Sequence, residues 1–230
     1  MVRARLALEQ SIAKTYEKCY NILYMAISFE KFVDSPQLQG ELAQALEQAI
    51  AEVMGEKDPR RVLTNSWCGL ASYALQRFFG QPDNVTVVGT SNLVTPFLME
   101  PYDFQHAFLK GETSDGPQFV DPTWKQTMRF VTDCPVRSVD DTINMPDIAV
   151  FRDPRKFGEE VLSAAFRVIY SGVNLPDGTQ RVPNRYEVLD VGLLYPAIWQ
   201  NARPLPESIR QGNAMNAQAV AGRMTELINS

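Results

Sequence analysis

Apolar residues recur at steps of three and four along residues 4–33, where Leu8, Ile12, Tyr16, Cys19, Leu23 and Ile27 fall on one helical face. Asp34-Ser35-Pro36 ends that run. A second helix follows, with Leu42, Leu46, Ile50 and Val53 in step and Gly55 as its C-terminal cap. Asp58-Pro59 turns the chain. Thr64-Asn65-Ser66 then offers three N-cap residues for a helix from about Trp67 to Phe79, closed by Gly80, with Trp67, Ala71, Leu75 and Phe78 on its buried face.

Beyond Gln81-Pro82-Asp83-Asn84 the pattern changes to short β-like runs: Val85–Val88, Val94–Met99, Phe104–Lys110, Gln118–Val120 and Met128–Val131. One helix followed by several strands in succession predicts an α+β fold with an antiparallel sheet. Further on, Pro154–Tyr170 carries a helical period, Ser171–Asn184 reads as loop, and Glu187–Trp199 fits strand or helix. Pro206–Ile228 reads as a polar helix. No repeat, low-complexity tract or linker interrupts the chain. The expectation is one domain over residues 1–230, with a helical part at 1–58, a core at 59–135 and a mixed part at 136–230.

Composition narrows the function. The chain has 230 residues, enough for a core without disulfide staples, and its 12 Phe, 8 Tyr and 3 Trp exclude a disordered chain. A net charge of −5 supplies no basic face for nucleic acid. No apolar run is long enough to span a membrane, and the N-terminal segment lacks the apolar stretch of a cleaved signal peptide. The expected location is therefore the cytoplasm, or outside the cell by export without a cleaved signal. Cys19, Cys68 and Cys134 imply no disulfide framework. With one histidine, His106, and no CxxC, HxxxH or HxxE spacing, a His/Cys zinc site is not expected; counting leaves an all-carboxylate Mg or Ca site open, but no EF-hand-type loop is present, and the expectation is no cofactor.

Cys68 is the first candidate for chemistry. It falls in the first turn of its helix, where backbone N–H groups and the positive end of the helix dipole lower a thiol pKa. The same N–H groups can donate to an oxyanion forming at the carbon that a thiolate attacks. Gly69 keeps the adjacent surface free of bulk. Cys19 lies in the apolar stripe of the first helix and reads as packing, and Cys134 beside Pro135 reads as incidental.

Phe104–Lys110 and Pro117–Asp121 flank the turn-rich segment Gly111-Glu112-Thr113-Ser114-Asp115-Gly116, which reads as a hairpin loop. If Lys110 and Pro117 close it, His106 lies directly opposite Asp121, with Cβ atoms about 4.5–5.5 Å apart. A carboxylate there accepts a hydrogen bond from one ring nitrogen and leaves the other to act as base on a thiol. A one-residue slip would put the two side chains on opposite faces. Taken singly, Asp121 also reads as a turn residue and His106 as a core histidine; the coincidence of three residues favours a Cys-His-Asp site.

In this order, Cys68, His106-Ala107-Phe108 and Asp121-Pro122-Thr123-Trp124, the chain resembles the transglutaminase-like branch of the papain-like thiol enzymes. The resemblance covers residues 65–125 and includes small Ala71 and Ser72 after the cysteine and Phe79-Gly80 before the strand at Val85. It departs at Ser66, where the family usually has glycine, and at Phe108, where it usually has tryptophan. No calcium-loop signature is present. The spacings also resemble those of arylamine N-acetyltransferases, although Leu63-Thr64-Asn65-Ser66-Trp67 replaces their Arg-Gly-Gly.

The resemblance implies a papain/transglutaminase-like core, with the cysteine helix packed on an antiparallel sheet, extra helices at both termini, and a thioacyl-enzyme formed on Cys68. Water as acceptor gives hydrolysis or deamidation, and an amine gives transamidation. The expected partner is a protein or peptide carrying a glutamine or peptide amide, as for a housekeeping enzyme or a bacterial effector or toxin. Peptide-bond cleavage, small-molecule acyl transfer and a non-catalytic binding module on the same fold remain open. Asn65 is a candidate oxyanion donor after the Cys68 N–H, and Trp67 and Trp124 are candidates for groove walls or for core.

Overall fold

The computed structural model describes residues 27–57, 67–90, 106–126, 148–157, 160 and 202–230. They form a mixed α+β structure. Helices α1 (Phe29–Val33), α2 (Pro36–Met54) and α3 (Cys68–Phe78) precede strands β1 (Val85–Thr90), β2 (His106–Thr113), β3 (Gly116–Asp121) and β4 (Ala149–Phe151). A short α4 (Pro154–Lys156), a two-residue β5 (Arg203–Pro204) and the long α5 (Glu207–Ile228) follow. The sheet is antiparallel throughout, in the order β4-β3-β2-β1-β5. The expected α+β class with an antiparallel sheet is thus met.

The helical period predicted over residues 4–33 is not continuous. Ser28 is extended, and its side chain accepts from the Lys31 N–H, so a new helix begins at Phe29. The predicted stop at Asp34 holds, because Ser35 caps the next helix and Pro36 fits its first turn. Gly55 ends α2 at φ 71, as the sequence suggests. At α3 the cap is Trp67, which offers no side-chain bond, in place of the polar Thr64-Asn65-Ser66, which lies outside the described residues. The strands expected at Val94–Met99 and Met128–Val131, the Ser171–Asn184 loop and the Glu187–Trp199 element also lie outside them. The α5 helix follows the prediction closely, whereas β4 and β5 were not anticipated.

The β2–β3 hairpin corrects the predicted register. Thr113 pairs with Gly116, Glu112 with Pro117 and Leu109 with Val120, so the strands run on to a tight Ser114-Asp115 turn. Gly116 enters β3 at φ 102, a conformation closed to most side chains. Gly111 signals no turn at all. It is a buried strand residue, and the Phe29 ring occupies the place its side chain would take.

Ala107 and Leu109 of β2, with Val120 of β3, point towards the helices and join a core built on Leu42, Leu46, Ile50, Leu75 and Met224. Helix α3 lies between the sheet and α5, and α5 also covers α2. The alternate residues of β2 face the other way, towards an aromatic group in which Phe119 stacks on Phe151, Phe151 on Phe157, and Phe157 meets Trp124 edge-on. His106 shares this second face with Phe108, yet it is the first residue of its strand and so sits at the end of the sheet, beside the start of α3.

Gly89 pairs with Ala107 and carries Leu205 on its open side. A Cβ there would lie 2.5 Å from Leu205 Cδ2 and 2.6 Å from the His106 carbonyl oxygen. The second contact is with backbone and cannot yield by a rotamer change. Gly89→Ala is expected to destabilise the fold by about 1–3 kcal/mol, as overpacking does, and a urea midpoint at or above wild type contradicts this account of β1.

Candidate active site

Three described elements bring Cys68, His106 and Asp121 together: the start of α3, the start of β2 and the end of β3. The first helical hydrogen bond of α3 runs from the Ala71 N–H to the Trp67 carbonyl at 2.8 Å, so the N–H groups of Cys68, Gly69 and Leu70 lie outside the helix's own ladder. Ser72, one turn on, is buried and donates to the Ala107 carbonyl at 3.1 Å. That bond fixes the helix against β2 and sets the thiol over the strand. The signal for it was a serine within an apolar helical face.

His106 is 2% exposed and Asp121 fully buried, and the ring Nε2 lies 2.6 Å from Asp121 Oδ2. In the observed register the two residues are offset by two positions instead of directly opposed. An even offset keeps both side chains on one face, and the diagonal is within reach of a histidine and a carboxylate. The other carboxylate oxygen accepts from the Thr123 N–H at 2.9 Å, with the Thr123 hydroxyl 3.4 Å away. This is a side-chain turn closed around Pro122, and it accounts for the Asp-Pro-Thr sequence: the proline bends the chain and the threonine orients the carboxylate.

With Nε2 committed to Asp121, interaction with the Cys68 thiol falls to Nδ1, which is buried and short of strict hydrogen-bond geometry. Catalytic contacts of this kind commonly tighten only when substrate binds. Burial by itself pushes the imidazole down. The charge and hydrogen bond of Asp121, with a further contribution from Cys68, override it and raise His106 to about 10. Burial pushes the Cys68 thiol up, but the His106 hydrogen bond and charge and the Ala107 backbone N–H outweigh it and hold the thiol below its ordinary value. The two groups therefore stabilise each other as thiolate and imidazolium. A thiolate is a nucleophile, and the imidazolium beside it can hand a proton to a leaving group.

Cys68 is half-buried and not in a disulfide, so it remains within reach of a reagent. Trp67 is half-buried and packs against the main core at the rim of the site. Trp124 is fully buried against Phe157 and has no surface to offer a groove; of its two readings, the structure supports core. Asn65, Cys19 and Cys134 lie outside the described residues. The sequence reading did not single out Asn213 on α5, whose amide lies in van der Waals reach of Gly69, the residue after Cys68. Nothing in a polar helix far along the chain signals that approach. Among the described residues there is no cluster of His, Cys, Asp or Glu that could hold a metal ion, and no helix is long and apolar enough to cross a membrane.

Two pH effects follow with opposite sign. Native His106 keeps its proton to about 10, whereas an unfolded histidine releases it near 6.5. Its contribution to stability is complete below about pH 6.5 and is lost as the pH rises towards its folded value. Native Cys68 is ionised where an unfolded cysteine is still protonated. Its contribution is present above about pH 8.5 and is lost as the pH falls through its folded value. Where the two windows overlap the proton counts offset each other, so stability is expected to fall more gently below about pH 8.5 than above it, where the fall is up to about 1.4 kcal/mol per pH unit. In Cys68→Ala the fall starts near pH 6.5, since the offset is gone. Urea unfolding of both proteins across this range checks it, and parallel pH profiles contradict the ion pair.

Alkylation gives a second check. Cys68 is expected to react with iodoacetamide at pH values well below the ordinary thiol range, and His106→Gln is expected to move its rate profile up towards that range. Equal profiles for Cys68 and for Cys19 or Cys134, read by peptide mass mapping, remove the case for activation.

Comparison of the chain with family models, with curated proteins and with solved structures finds no match.

Proposed function

We propose that this chain is a thiol-dependent amide hydrolase or acyltransferase that works through a thioacyl-enzyme on Cys68, on a core of papain/transglutaminase type. The observation that carries the reading is the buried 2.6 Å contact between His106 Nε2 and Asp121 Oδ2, with the thiol of Cys68 engaged by the same ring. A buried histidine serving packing alone has no need of both partners, and burying an imidazolium and a carboxylate is costly unless the arrangement serves something else.

The proposed steps use these three residues in turn. The Cys68 sulfur attacks an amide carbonyl carbon, and the π electrons of the carbonyl move to oxygen. Backbone N–H groups at the start of α3 receive the oxyanion. The intermediate collapses as the C–N bond breaks, and His106 delivers its proton to the departing nitrogen while Asp121 holds the ring orientation. The acyl group then passes to water or to an amine, with neutral His106 taking the acceptor's proton. The preferred substrate is a glutamine side-chain amide on a protein. Location in the cytoplasm or export as an effector is part of the same proposal.

Intact-mass screening of candidate protein substrates distinguishes the outcomes. A gain of about one dalton marks deamidation, an adduct marks transamidation and fragments mark peptide cleavage. Cys68→Ala and His106→Gln are expected to abolish whichever is seen, and Asp121→Asn to slow it by on the order of 10²–10⁴-fold, since the ring then loses its orienting carboxylate. Turnover that survives Cys68→Ala overturns the proposal.

A further inference from the structure

We propose that Ser72 is a positioning residue for the Cys68 nucleophile, acting through the main chain of Ala107, an inference that rests on the thiol-enzyme reading above. The sheet register explains why Ala107 is available. The Glu112 N–H donates to the Asn84 carbonyl at 3.0 Å, which extends the β1–β2 register and sets its hydrogen-bonded pairs. The even-numbered residues of β2 therefore turn their main-chain groups to β1, and the odd-numbered ones turn theirs to β3. Gly111 meets Gln118 and Leu109 meets Val120 in this way. Two residues further on, the same register sets Ala107 opposite Pro122.

A proline has no N–H to give. The Ala107 carbonyl thus lacks the ladder donor that its position calls for, and a carbonyl left unpaired in the core is costly. Ser72 supplies the donor: its side chain is fully buried, and the hydroxyl lies 3.1 Å from the Ala107 carbonyl oxygen. Pro122 also opens the turn in which the Thr123 N–H bonds Asp121, so the paired ladder of β2 and β3 ends at Leu109 and Val120. The Ala107 N–H is turned to Cys68 instead and favours its thiolate.

Cys68 and Ser72 are four residues apart on α3 and share one face of the helix. They hold Ala107 at two points, the sulfur at its N–H and the hydroxyl at its carbonyl. Without the hydroxyl one of the two ties is gone. The first turns of α3 are then freer to move over β2, and the Ala107 N–H is held less well on the sulfur. Loss of a donor to the charged form raises the thiol towards its ordinary value.

The test reads the ionisation of Cys68 in the full chain, from the pH dependence of its alkylation by iodoacetamide. Peptide mass mapping separates it from Cys19 and Cys134. The C–S bond forms as iodide leaves, so the rate follows the thiolate. Ser72→Ala is expected to raise the midpoint of the profile by about 0.5–1 pH unit, the size of one hydrogen bond of ordinary net worth. Ser72→Thr and Ser72→Val form a matched pair, since they add the same branch and differ only in hydroxyl against methyl. Ser72→Thr is expected to stay nearer the wild-type midpoint, and Ser72→Val to rise as Ser72→Ala does. Ile50→Val trims the buried core on α2 and reports what lost stability does by itself. It is expected to lower the urea midpoint and leave the alkylation midpoint in place.

A Ser72→Ala midpoint equal to wild type, equal midpoints for Ser72→Thr and Ser72→Val, or a shift as large in Ile50→Val overturns the positioning role and leaves the thiolate standing. A wild-type midpoint in the ordinary thiol range overturns the thiol-enzyme reading itself, so the two failures are distinguishable.

Discussion

Everything near the end of the sheet is arranged around one buried contact, His106 Nε2 to Asp121 Oδ2. Two ionisable groups out of water cost several kcal/mol each, and removing one partner leaves the other uncompensated at about 3–5 kcal/mol. The surroundings answer that cost at each atom. Thr123 satisfies the second carboxylate oxygen, Pro122 bends the chain so that it can, and Phe108 lies 6.2 Å from the imidazole, centroid to centroid. The proton on His106 then becomes a property of the pair, and the thiol state follows from it.

How this was legible in the sequence depends on parity. The hairpin was read with a six-residue loop, whereas the strands continue to a two-residue turn, and the pairing shifts accordingly. Facing depends on whether the shift is odd or even, and this one is even, so His106 and Asp121 still share a face. The loop was misread because Gly111 was taken as turn punctuation. Its cause is tertiary: Phe29, from another part of the chain, fills its side-chain space. The predicted first run is interrupted before Phe29 for a local reason, since the Ser28 side chain accepts from the Lys31 N–H and caps a helix there inside an apolar pattern that does not break. Helix α2 was read well because its Ser35-Pro36 start and Gly55 end are written in adjacent residues, and α5 because Pro206 marks its start.

Two glycines share one logic. Gly89 receives Leu205 and Gly111 receives Phe29. Each is a socket for a side chain from a distant segment, one from residues 202–230 and one from α1. Single-sequence periodicity cannot pair a socket with its guest, because the signal at one end is only an absence of a side chain. This is why Cys68, His106 and Asp121, each with a side-chain signal of its own, could be read from the sequence while these socket-and-guest pairs could not.

The contact between α5 and Gly69 also imposes an order in time. Cys68, His106 and Asp121 are all translated before any of α5 exists, and at ~5–20 residues per second the ribosome needs about 5 to 20 seconds more to reach Ile228. During that interval the side of α3 that meets α5 lacks its cover. The three residues are thus synthesised before the helix that completes the core beside α3.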